Sequence, residues 1–217
     1  THNHPHFDQL IVVTTHADKA TQAVCRKHNT TCVQTDLTKK NGRQFNKGAA
    51  INSGFDYFKY HGWRIHMDSD ICLPDNFRRL LFNHTHLDPS CIYGADRVNV
   101  VGQDNVKKFL TQRDHQLVNS LCLGTNQGQL GHRLTCQLRG YLPVGFFQLW
   151  NARCQKPYPY SLGTAAHDDM MFSALWPEAN RRHLPTAIVY HLCAAPPRIG
   201  ENWEGNRRQP RIDAKKK

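Results

Sequence analysis

The chain has 217 residues, 39% of them hydrophobic, and carries 28 lysines and arginines against 17 aspartates and glutamates, a formal charge of +11. That length fits a single domain. The many short apolar runs argue against a disordered chain, and no uninterrupted run of about 18 apolar residues is present to form a membrane-spanning helix. Such a charge excess speaks for polyanionic partners, nucleic acid or an anionic membrane surface. The basic residues concentrate at 39–47, 78–79, 97–113, 181–182 and 198–217, although Lys215, Lys216 and Lys217 read equally well as a solvated tail.

In chain order, residues 1–6 are polar and histidine-rich, unlike a secretory signal. The apolar run 9–15 suits a buried first strand. Residues 19–28 follow as a helix with Ala20, Ala23 and Val24 at helical spacing. Residues 31–35 read as a second strand and 36–43 as a polar loop. A helix is expected over 47–60, with Ala50, Ile51, Phe55 and Phe58 on one face. The next strand carries Trp63, Ile65 and Met67 alternating with Arg64 and His66, the pattern of a half-buried strand. This β-α-β-α-β order predicts an α/β domain with a mainly parallel, twisted sheet flanked by helices.

The second half is less regular. A short helix is expected at 77–82, a strand at 90–94, helical patches over 106–121 and a glycine- and glutamine-rich loop at 124–131. Residues 142–150 can return to the sheet, 168–176 form a helix and 186–192 a late strand. Without an internal repeat or linker, residues 1–217 are expected to form one continuous domain, with flexible termini at 1–8 and 206–217. The eight cysteines stand singly, with no Cys-x-x-Cys pair, which argues against a zinc ribbon or thioredoxin-like site. Reduced thiols of a cytosolic protein are the favoured reading, and an extracellular disulfide set is the alternative.

Asp68-Ser69-Asp70 ends the strand at 63–67. Ligands gather at the carboxyl ends of strands in open α/β sheets. Two carboxylates on one side of an extended backbone repel unless a cation lies between them, and a hard divalent ion there can bridge to phosphate oxygens. With Phe45-Asn46-Lys47-Gly48 upstream, the pair suggests a metal held against a nucleotide diphosphate. A solvated turn is the plainer alternative.

An ordered series completes the picture: the strand Ile11-Val12-Val13-Thr14-Thr15, then Phe45-Asn46-Lys47-Gly48-Ala49-Ala50-Ile51-Asn52, Asp68-Ser69-Asp70, Pro143-Val144-Gly145-Phe146-Phe147-Gln148, His167-Asp168-Asp169 and Tyr190-His191. This series resembles the GT-A-fold glycosyltransferases, which move a sugar from a nucleotide-sugar donor, over about residues 9–203.

The resemblance implies roles for single residues. Thr14, Thr15, His16 and Asp18 would meet the base or ribose, unless Thr15 or Asp18 merely caps the following helix. Asn46, Lys47 and Gly48 at a helix entry would favour phosphates, with Arg43 as a bidentate partner; helix capping is again the alternative. Asp68 and Asp70 would coordinate Mn²⁺ or Mg²⁺, Asp70 as the stronger ligand, with His191 as a third ligand that suits Mn²⁺. Asp68 would face the ribose or a metal-bound water, and Ser69 belongs to the same donor-binding motif. His167-Asp168-Asp169 replaces the commoner Glu-Asp pair, which leaves the general base open between Asp168 and Asp169; a plain helix cap is the alternative. Gly145, Phe147, Gln148 and Trp150 would wall the donor sugar and acceptor, unless they are core. Trp203 would lie on a closing lid.

The implied reaction is metal-dependent glycosyl transfer with inversion. The charge makes hydroxylated bases in DNA an attractive acceptor for a phage-type enzyme in the cytoplasm, that of a host if viral. A protein or surface glycan is the competing acceptor. A non-catalytic nucleic-acid-binding domain and a nucleotidyltransferase are the competing functions.

Overall fold

A computed structural model describes residues 2–36, 46–83, 86–112, 135–136, 140–160 and 165–193. They group into two units. The first takes the described residues within Thr1–Asp68, Asp75–Ala95 and Arg133–Ala187, and the second those within Ser69–Pro74, Asp96–His132 and Ile188–Lys217.

In the first unit, β1 (Ile11–Thr14) and β2 (Thr31–Gln34) pair in parallel with Ile11 opposite Thr31 and Thr14 opposite Gln34. The crossover between them is α1 (Lys19–Lys27). Its start is fixed by Asp18, whose Oδ1 accepts from the Thr21 backbone N–H at 3.0 Å. The next helix, α2 (Lys47–Phe55), is capped by Asn46 Oδ1 accepting from Ala49 N at 3.0 Å. Two glycines let α2 approach its neighbours: a Cβ on Gly54 would lie 2.9 Å from Val13 Cγ2, and one on Gly48 would collide with the Pro159 carbonyl.

The strand β3 (Trp63–Met67) pairs antiparallel with β8 (Phe147–Asn151), Trp63 opposite Asn151 and Met67 opposite Phe147. Ile92 and Tyr93, at the start of β5 (Ile92–Val101), pair antiparallel with Trp150 and Leu149. Short strands β6 (Thr135–Cys136) and β7 (Gly140–Tyr141) form a separate antiparallel pair. The helix α5 (Ala165–Ser173) contributes Phe172 to a core with Ile92, Trp150, Tyr158 and Trp176. The Phe172 ring stacks on Tyr158 at 4.3 Å and meets Trp150 and Trp176 edge-on. A further helix, α3 (Phe77–Asn83), places Phe77 edge-on to Phe147.

In the second unit, β4 (Ile71–Cys72) pairs antiparallel with β9 (Arg181–Cys193), Ile71 opposite His191 and Cys72 opposite Tyr190. Gly102, at a φ of +93° that side chains disfavour, turns the chain from β5 into α4 (Gln103–Gln112). That helix buries Phe109 against Tyr190, with Cys72, Val98 and Val100 completing the cluster. The hydrogen-bonded strand order is β3-β8-β5-β9-β4.

The chain is mixed α/β, but the mainly parallel sheet expected from the sequence is replaced: β1–β2 is a parallel pair, whereas β3–β8, β5–β8 and β4–β9 are antiparallel. Side-chain alternation, which identified β3 as a strand, carries no information on strand direction, and β3 takes as its partner β8, 80 or more positions away, rather than β1 or β2. Among the described residues no helix is long and apolar enough to cross a membrane. Among the described residues, Cys25, Cys32, Cys91 and Cys154 are free thiols.

Candidate functional site

Lys47 is the first residue of α2, and its side chain is only 10% exposed. An ammonium in that position requires partners. Its Nζ donates to Asp68 Oδ1 at 2.7 Å and to Asp169 Oδ2 at 3.0 Å. Burial alone would lower the lysine pKa, but the two carboxylates outweigh it and leave Lys47 above its usual value, so the ammonium stays charged. One cation thus meets two anions, and the group carries an excess negative charge.

Asp169 lies inside α5, not at its start, with its side chain 8% exposed. Its carboxylate rests on Gly145, where any Cβ would collide with it. The Tyr158 hydroxyl donates to Asp169 Oδ1 and stands 2.9 Å from Gln148 Oε1. Burial first, and Asp169 second, push the Tyr158 pKa well above that of a free phenol, so it stays a donor. Asn52, on α2, clamps the Tyr158 backbone: Nδ2 donates to Tyr158 O at 2.8 Å and Oδ1 accepts from Tyr158 N at 2.7 Å.

Gln148 is fully buried and ties β8 to α5. Its Nε2 lies within hydrogen-bond reach of Pro143 O and Asp169 O, both at 3.0 Å, and of Ser173 Oγ at 2.9 Å. His66 Nδ1 is 3.3 Å from Gln148 Oε1. Burial, reinforced by the Lys47 ammonium, lowers the His66 pKa to about 4 and leaves the ring neutral at pH 7.

The second unit holds its own polar group. His191 Nε2 lies 3.1 Å from Asp70 Oδ2, and His191 Nδ1 3.0 Å from Asn99 Oδ1. An amide oxygen only accepts, so Nδ1 carries a proton and the neutral ring turns the Nε2 lone pair towards the carboxylate. Two acceptors at that distance are reconciled by a second proton on the ring or by a cation shared between them. Imidazole plus carboxylate, oriented by a further hydrogen bond, suits Mn²⁺. Asp70 and His191 would provide two protein ligands, since no cluster of three or more His, Cys, Asp or Glu occurs among the described residues.

The remaining expected residues fall in varied settings. Asp18 is a helix cap, and its Oδ2 also accepts from Thr14 Oγ1 at 2.8 Å. The Thr15 and His16 carbonyls accept from Gln22 Nε2 at 2.9 and 3.1 Å, and the exposed His16 ring is 4.0 Å from Asp36. Asn46 caps α2 and is fully buried. Ser69 is an exposed turn residue. Phe147 and Trp150 are packed in the core, and Gln148 faces Asp169 from within it, so the expected open wall is not formed by these three side chains. Asp168 is 1% exposed and, like Asp169, helical, so neither is the N-cap of α5. Arg43 and Trp203 lie outside the described residues.

Tyr158, Asn52 and Asn99 were not singled out from the sequence. A polar Asn52 on the helix after Asn46-Lys47-Gly48 was the available signal for the clamp, and none pointed to Tyr158 or Asn99. No family model, curated protein or solved structure matches this chain.

Proposed function

We propose that this chain is a GT-A-type glycosyltransferase that moves a sugar from a nucleoside-diphosphate sugar to an acceptor hydroxyl with inversion. The observation that carries the reading is Lys47 bonded to both Asp68 and Asp169. It joins the Asn-Lys-Gly segment, the first aspartate of Asp68-Ser69-Asp70 and the acidic pair at 168–169, three of the motifs on which the family resemblance rests.

In this reading Asp169 is the general base. It accepts the acceptor's hydroxyl proton as the acceptor oxygen bonds to the anomeric carbon, and the bond from that carbon to the diphosphate oxygen breaks with its electron pair leaving on the nucleoside diphosphate. Lys47 and Tyr158 fix the carboxylate's orientation, and its oxygens retain lone pairs for the incoming proton. Asp70 and His191 would hold Mn²⁺ or Mg²⁺, whose contribution is to neutralise charge on the diphosphate. Asn99 keeps the His191 ring in the tautomer that ligation needs.

The +11 charge favours an acceptor on a polyanion, and hydroxylated bases of DNA fit that class. The test is to incubate the protein with nucleotide sugars, Mn²⁺ and candidate acceptors, and to read acceptor mass and small-molecule products. A hexose-sized mass gain on hydroxymethylated DNA with release of nucleoside diphosphate, falling steeply as salt rises, is expected. Pyrophosphate release would identify a nucleotidyltransferase instead, and a gain confined to protein or glycan acceptors would overturn the DNA assignment.

A further inference from the structure

β1 and β3 belong to different hydrogen-bonded sheets, and the first unit contains a cavity of about 380 Å³ whose lining includes Ile11 and Val13 of β1 and every residue of β3. The volume is within the ~300–1,000 Å³ of small-molecule sites. Neither Lys47, Asp68 nor Asp169 lines it. Phe55 from α2 and Leu81 from α3 add to its apolar lining, which also takes in Tyr60 and Phe82, 61% and 56% exposed. Large apolar side chains left in water beside an apolar cavity mark a route of entry.

The polar side chains in the lining include two arginines and three histidines. Asp8 is its single carboxylate, and that group accepts from Arg78 at 2.9 Å. Arg64 is the second arginine. Its guanidinium lies 4.5 Å over the Phe58 ring, Nη1 donates to Gln155 Oε1 at 2.7 Å, and the buried Nε has no hydrogen-bond acceptor among the described residues. A guanidinium is the charged, planar donor that best matches a carboxylate.

We propose that this cavity binds an amphipathic carboxylate: an aliphatic chain seated among Ile11, Val13, Phe55 and Leu81, with its single acid group on the Arg64 guanidinium. The lining is mainly apolar, and its one carboxylate is already paired. The site is independent of the glycosyl-transfer reading.

Titration of the protein with dodecanoate below its micelle concentration, followed by tryptophan fluorescence, tests the assignment, because Trp63 and Trp150 line the cavity. Saturable one-to-one binding is expected, about tenfold or more tighter than that of dodecan-1-ol. Arg64→Gln should remove that preference. Phe82→Asp, at an exposed position that does not threaten folding, should weaken dodecanoate by a similar factor. Absence of saturable binding, equal affinity for the alcohol, or dodecanoate affinity unchanged in Phe82→Asp would overturn the proposal.

Discussion

Lys47 and Asp169 are 122 positions apart in the chain, yet the lysine Nζ donates to the aspartate Oδ2 at 3.0 Å in a setting where both side chains are nearly closed to water. The same Nζ serves Asp68. Removing the cation alone would strand two acids. Lys47→Met should cost about 3–5 kcal/mol, towards the lower figure because Asp68 keeps 38% of its side-chain surface in water. Urea denaturation at pH 7 checks this, and a loss below about 1 kcal/mol would show that the ion pairs do not hold in solution.

Tyr158→Phe keeps the ring that stacks on Phe172 and deletes only the hydroxyl that binds Asp169. Folding stability should fall by about 1.5–3 kcal/mol, the range for a hydrogen bond to a charged group. If the hydroxyl orients a base, kcat should fall while the KM for the nucleotide sugar stays put. Steady-state kinetics would separate this from a purely structural role, which leaves kcat of the folded fraction unchanged.

How much of this was legible in the sequence differs between the polar groups and the scaffold. Lys47 could be named as a lysine at a helix entry and Asp68 as a carboxylate at a strand end, whereas Asp169 could be named only through the order of motifs that carries the family resemblance. Their mutual bonding could not be named, because sequence separation says nothing of proximity. The strand at 63–67 was readable from its alternation, but its antiparallel partner 147–151 is distant in the chain and alternation does not fix direction. Thr15 and Asp18 carried two readings, and the observed Asp18 cap realises the local one, which needs only contacts within four residues. Tyr158 sits in Pro157-Tyr158-Pro159-Tyr160, a segment without periodicity, and owes its position to Asn52 on another element.

Asn99 should matter for metal affinity although it would not touch the ion. Its Oδ1 holds His191 Nδ1 at 3.0 Å. Asn99→Ala should weaken Mn²⁺ binding about 10–100-fold, as loss of an outer-shell partner does. Titration of free Mn²⁺ by electron paramagnetic resonance reads the constant directly, and an unchanged affinity would remove Asn99 from the account.

Cys25 supplies a pH signature of the fold. Burial, with a smaller contribution from Cys32, pushes its thiol up to about 11 from the usual 9.0. Between those values the unfolded chain releases the proton and the folded chain keeps it. The resulting stability is therefore present below pH 9 and lost as pH rises towards 11, by about 2–3 kcal/mol. Denaturation midpoints of wild type and Cys25→Ala at pH 8.5 and 10.5 should converge as the pH increases; parallel midpoints would show an unperturbed thiol.

The role proposed for Asp169, held by Lys47 and Tyr158, is to take the acceptor proton in glycosyl transfer. It is tested most directly by the initial rate of nucleoside-diphosphate release, with Mn²⁺, nucleotide sugar and acceptor present, for wild type and Asp169→Asn, each corrected for its folded fraction. A wild-type rate reduced about 10²–10⁴-fold in Asp169→Asn is predicted, the contribution of a positioned base. Equal rates in the two proteins, or no release by the wild type with any nucleotide sugar, would contradict the account.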